Sequence, residues 1–196
     1  MAALALLAAP LFAAAAPPEE PDLGWLDREA LAAREIQVRT RRDGPTVIVE
    51  VVALIDASPA AIWDVLTACE IAPEYVSNIV SCERLEVVDG GRAELFVQTV
   101  KPAFFIPRFE QVFRLDYEPY ERIDVLEVSG PLERMEGRWW FLPGAGGTVM
   151  LAHTMEVDPG FPIPRFLLRA TMRRDLTTIM EAVRARAEAG PEQRRP

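Results

Sequence analysis

The sequence predicts an α+β fold: a curved antiparallel sheet closed by one long C-terminal helix. Three observations point there. From Ile79 onward apolar residues recur at every second position, in runs broken at Asp89-Gly90-Gly91, Lys101-Pro102, Glu118-Pro119, Gly130-Pro131 and Gly144-Ala145-Gly146-Gly147. Strands of about 8 to 10 residues joined by such tight turns pair as antiparallel neighbours, because a short connection cannot cross over. Helical periodicity returns only after Pro164, where Leu168, Met172, Leu176, Ile179, Met180 and Val183 share one stripe of a helix over residues 166–187. A helix laid across the open face of a sheet either seals a core or roofs a cavity.

Before the meander, the chain reads as punctuation followed by a hairpin. Residues 1–16 are apolar and end in Ala13-Ala14-Ala15-Ala16, followed by Pro17-Pro18-Glu19-Glu20. The run is shorter than the roughly 20 residues a helix needs to span a bilayer, and its small-residue end suits a signal peptidase. An export signal over 1–16 is therefore expected, with a periplasmic or secreted product. No Lys or Arg follows Met1, however, and an Ala-rich tail is the alternative.

Residues 17–45 read as a Pro-rich acidic linker, a short helix ending near Arg34, and a first strand. Asp43-Gly44 is a hairpin signal between that strand and a second run, which places Val47, Val49, Val51, Ala53 and Ile55 on one face. Ser58-Pro59 supplies an N-cap and a first helical proline for a short helix over 60–67, and Pro73 opens a further turn through Tyr75 and Val76. The main domain is expected over 46–189, with 190–196 as a disordered tail.

Composition narrows the function classes. Half of the 196 residues are hydrophobic, enough for one domain with a sizeable core, and the net charge of −9 argues against a nucleic-acid partner. Two cysteines and one histidine, far apart in sequence, match no ordinary metal spacing, and no cofactor is implied. In an oxidising compartment Cys69 and Cys82 either pair, closing a loop worth about 3 kcal/mol, or remain two buried thiols.

Several segments together carry a family likeness. They are 57–67 (Ala-Ser-Pro-Ala-Ala-Ile-Trp-Asp-Val-Leu-Thr), Tyr75-Val76-Ser77-Asn78-Ile79, Gly130-Pro131-Leu132, Gly137-x-Trp139-x-Phe141-x-Pro143, Gly146-Gly147-Thr148 and Val157-Asp158-Pro159. In this order they resemble the START-like helix-grip superfamily, in particular its polyketide cyclase/dehydrase and coenzyme Q-binding type, over residues 46–188. The resemblance implies about seven antiparallel strands gripping a long C-terminal helix, with a cavity between. It transfers a pocket without transferring a reaction, because members of the superfamily bind lipids, sterols or quinones or cyclise polyketides.

Alternation selects what would line such a pocket. Phe109, Gln111, Phe113, Leu115 and Tyr117 share one strand face, and Met135, Trp139 and Phe141 share another. His153 falls on the apolar face of the last strand, and Glu127 is assignable to neither face. On the helix, Met172 lies in the stripe and Arg165 and Arg169 on or beside it, where they would meet a carboxylate, the domain edge or an acidic ligand group. The candidate ligand residues are therefore Phe109, Gln111, Phe113, Tyr117, Trp139, His153, Arg169 and Met172.

No inward carboxylate pair or Ser-His-Asp order is legible, so no catalytic residue is assigned. Phe104, Phe105 and Ile106, fenced by prolines, and Phe161 form two apolar lips that either cap the cavity, touch a membrane surface or complete the core. The expected function is non-enzymatic binding of a hydrophobic small molecule, lipid or isoprenoid-like. A cyclase or dehydratase using His153 with Tyr117 or Gln111 is the first alternative, and an envelope interaction module with a filled core is the second. Oligomeric state is not legible.

Overall fold

The structure is a computed structural model that describes residues 20–101, 107–160 and 164–189. The expected signal segment, the lip residues Phe104, Phe105, Ile106 and Phe161, and the tail 190–196 lie outside the described residues.

Eight strands form one antiparallel sheet: β1 (Gln37–Asp43), β2 (Thr46–Ile55), β3 (Ile79–Val88), β4 (Ala93–Val100), β5 (Phe109–Glu118), β6 (Arg122–Ser129), β7 (Arg134–Pro143) and β8 (Val149–Asp158). Their spatial order is β1-β2-β8-β7-β6-β5-β4-β3. Six consecutive strands form the meander, and the hairpin β1-β2 joins it through β8, with Val51 opposite His153. Eight strands stand where about seven were expected, and β1 belongs to the sheet, which therefore begins at Gln37. Gly44 turns the hairpin with a φ of 54°, a left-handed conformation that costs glycine little.

Helix α2 (Pro59–Thr67) starts as its sequence predicts: the Ser58 side chain accepts a hydrogen bond from the Ala61 N–H, and Pro59 occupies the first turn. The turn expected to open at Pro73 instead begins earlier, as a 3-10 helix over Cys69–Glu74 with Pro73 inside it. Its start is fixed by a disulfide from Cys69 to Cys82 on β3, with the two Cα atoms 5.5 Å apart. Of the two states open to the cysteines, the fold adopts the paired one.

Helix α3 (Arg165–Glu188) lies on the concave face and buries Met172, Leu176, Met180, Val183 and Ala187. Its closest backbone approaches are to β2, α2 and β1. The C-terminal end and the middle of the helix are pinned. The Glu188 carboxylate accepts from the Asp56 N–H at 2.8 Å and pairs with Arg34, while Arg184 Nη1 donates to the Arg34 carbonyl at 3.0 Å. Toward the other end, Asn78 Nδ2 donates to Asp175 at 3.1 Å.

All ten residues of β2 are buried, although alternation predicts one apolar face. The convex face is covered by the segment around α1 (Arg28–Ala32): Leu23, Trp25, Leu26 and Leu31 pack on Val52, Trp140 and Ala152, a row across β2, β7 and β8. Elsewhere the convex face carries ion pairs. Arg39 and Arg41 bond the buried Glu50, and Asp124 pairs with Arg122 and Arg138.

Candidate functional site

Strand alternation places the concave floor as predicted. Phe113 faces Phe96 across β4 and β5 and stacks on it at 5.7 Å between ring centres. Trp139 faces His153 across β7 and β8, with the rings stacked at 3.8 Å and 13°. While the α3 backbone approaches β2 and α2 most closely, the aromatic floor of β4 to β8 shares one buried cluster with the helix side chains Met172, Leu176, Met180 and Val183.

The two ends of the concave face differ. At one end α2 closes it: Trp63 contacts Tyr117 at 5.4 Å, Phe141 at 5.7 Å and Tyr120 at 5.5 Å. At the other end, where α3 begins, Ile79, Leu132, Met135, Met155 and Leu168 are only partly buried around the core. These residues form a half-buried apolar rim at this end of the sheet.

His153 is 1% exposed. Its Nδ1 lies 2.9 Å from the Arg138 carbonyl, which can only accept, so Nδ1 carries the proton and Nε2 is a bare acceptor. That Nε2 is buried without a partner. Burial pushes the imidazole pKa down from 6.5 to about 4, against the weaker upward effect of the Arg138 hydrogen bond, so the ring is neutral near pH 7. Gly137 lies beneath it, and a Cβ there would stand 3.1 Å from His153 Cε1.

Glu127 joins the concave face opposite Phe113. The side chain as a whole is half-buried, but both carboxylate oxygens are shut off from solvent and unpartnered. Burial raises its pKa, and the nearby Leu132 N–H opposes that shift without completing a hydrogen bond to either oxygen. Gln111, also buried, donates from Nε2 to Gln98 Oε1 at 3.1 Å. Gln98, Gln111 and Glu127 thus form a polar row across β4, β5 and β6 toward the rim.

The remaining expected ligand residues divide. Phe109 is half-buried at the rim end of β5, and Met172 is buried under α3. Tyr117 is committed to structure: its hydroxyl donates to Glu94 at 2.8 Å, and burial together with Glu94 pushes its pKa up. Arg169 is exposed, which removes it from the pocket. At this end of α3, Leu168 and Met172 are the described stripe residues that turn toward the core, as the helical period predicts.

Glu127 and Gln98 were not assigned from sequence. On β6 the outward Leu126 and Val128 are as apolar as the inward Ile123 and Val125, and the register slips between Val112 and Phe113, so alternation does not choose a face. A separate depression of about 360 Å³, bordered by Asp89, Arg92, Asp116, Tyr117, Glu118, Arg122 and Asp124, is dominated by ion pairs and does not suit an apolar ligand. Among the described residues, no cluster of His, Cys, Asp or Glu is placed to hold a metal ion, and no helix is long and apolar enough to cross a membrane.

A sheet that grips its terminal helix over an aromatic floor, with a rim at one end, defines the class of helix-grip domains. The chain belongs to the polyketide cyclase / dehydrase and lipid transport family, whose model matches residues 55–184. No curated protein matches it.

Among solved structures, a STAR-related lipid transfer protein from Xanthomonas axonopodis is similar with a TM-score of 0.66 and 18% identity, covering 79% of this chain and 94% of that one. The ZhuI aromatase/cyclase from Streptomyces sp. R1128 is similar at 0.62 and 20% identity, covering 73% and 94%. Human STARD10 is similar at 0.60 and 10% identity, covering 86% and 82%. At these identities the likeness establishes the fold.

Proposed function

We propose that this protein is an exported carrier that holds a hydrophobic small molecule between the sheet and α3. One observation carries the reading: α3 is anchored on β2 and α2, and the aromatic floor of β4 to β8 leads to a half-buried apolar rim where the helix begins. An apolar molecule gains about 25 cal/mol for each Å² it removes from water on such a surface. The lipid transfer neighbour favours a lipid or isoprenoid-like cargo. In this reading the Pro-fenced segment with Phe104, Phe105 and Ile106, together with Phe161, forms the apolar lips through which cargo passes from a membrane surface.

Native mass spectrometry of protein purified gently from the exported fraction, followed by solvent extraction, tests the reading. A near-stoichiometric apolar adduct is expected, on a chain whose first residue lies between Ala14 and Pro17. An apo mass that takes up no added lipid would favour a filled-core interaction module, and a chain still starting at Met1 would refute export.

His153 favours a second reading, in which the site acts as a cyclase or dehydratase: its neutral imidazole holds an unpartnered Nε2 that would accept a proton once a bound substrate displaces the side chains that bury it. In that case His153→Gln abolishes turnover while ligand affinity stays intact. In a carrier the same substitution changes affinity alone.

A further inference from the structure

The polar row at the rim needs an explanation that the apolar floor does not supply. Glu127 places two unpartnered oxygens inside the concave face, and leaving such a group unpaired is costly. Its carboxylate is tucked against the turn after β6: a Cβ at Gly130 would overlap Glu127 Oε1 and stand 3.1 Å from Gln111 Cβ. The Glu127 carboxylate therefore lies beside the root of the Gln111 side chain. The Gln111 amide nitrogen gives one hydrogen to Gln98 and has a second to offer, while Glu127 offers acceptors.

We propose that Glu127, with the Gln98-Gln111 amide pair, forms a polar head site that takes the hydroxyl group of an otherwise apolar ligand, an inference that rests on the carrier reading. A hydroxyl donates one hydrogen bond and accepts another, so it meets a Glu127 oxygen and a glutamine N–H together. A cation fits less well, because Glu127 is the one carboxylate in the row and its neighbours there are neutral amides. Burial also favours the neutral acid at Glu127, which accepts at one oxygen and donates from the other. The ligand thus enters tail first over Phe113 and Trp139 and stops with its hydroxyl at the rim.

The test uses 4-octylphenol, its methyl ether 4-octylanisole and the cationic 4-octylbenzylamine, titrated into the full chain by calorimetry. The wild type is expected to bind the phenol about tenfold more tightly than the ether. Glu127→Leu should bring that ratio to near one, and Glu127→Gln, which keeps a donor and an acceptor, should retain most of it. Gln111→Met should lower it partly, and it decides the matter together with the wild-type ratio if Glu127→Leu does not fold. A wild-type ratio near one, or a ratio unchanged in Glu127→Leu, overturns the head site while leaving the carrier reading intact. Tightest binding of the amine, lost in Glu127→Gln, overturns it in favour of a cation site. Failure of all three probes to bind the wild type overturns the carrier reading and this inference with it.

Discussion

Sealing His153 as a neutral ring has a pH signature of fixed sign. Its folded pKa, about 4, lies below the unfolded 6.5, so the unfolded chain takes up the proton first as pH falls. The stabilisation is complete above pH 6.5 and is lost as pH drops toward 4. For one group the linkage integral gives a loss of about 1.4 kcal/mol at pH 5.5 and about 2.5 kcal/mol at pH 4.5, relative to pH 8. Other carboxylates also titrate here, and Glu127, whose folded pKa is raised, acts with the opposite sign. The quantity to measure is therefore a difference.

His153→Leu keeps an apolar side chain of similar size and removes the titration. Urea unfolding of both proteins between pH 8 and pH 4.5 should show the wild type losing about 2.5 kcal/mol more than the variant across that range. Among the described residues the ring meets the Arg138 carbonyl and the Trp139 face, and no carboxylate that would hold its charge. A gap between the two proteins that stays flat with pH would show that water or a ligand group reaches Nε2. A gap that widens in favour of the wild type on acidification would require a nearby anion and refute the burial argument altogether.

Other consequences are checked by equilibrium unfolding. Replacing Cys69 and Cys82 with Ser should cost about 3 kcal/mol, because the bridge closes a loop across a sequence separation of 13, and a midpoint indifferent to reductant would show that the bridge does not form. Gly137→Ala should destabilise by about 1 to 2 kcal/mol, since His153 is held between its hydrogen bond and the Trp139 stack and has little room to yield; a stabilised variant would contradict that packing. Trp25→Ala should cost about 2 kcal/mol by stripping the cover from Val52, Trp140 and Ala152 and removing the ring under Arg39; no loss would mean the N-terminal segment does not pack on the convex face.

The sequence by itself determined the local choices. Ser58-Pro59 began α2, Gly44 turned the first hairpin, and alternation on β5 put Phe113 inside and Arg114 outside. The α3 stripe was legible from Met172 to Val183 because each of its residues meets the core at the helical period. Tertiary structure decided what depended on neighbours distant in the chain. Nothing local in β2 reveals that its second face is covered by Trp25 and Leu31, or that Cys69 meets Cys82.

Arg169 faces solvent because the start of α3 stands at the rim, where the sheet no longer covers a full helical face. Glu127 escaped assignment for a related reason: a strand apolar on both sides with a bulge carries no period-two signal, and only pairing with Phe113 turns the carboxylate inward. Period fixes a face when one side is wet and the other dry. At the rim and on β6 that contrast fades, and there the packing of distant segments chose the groups that face the interior.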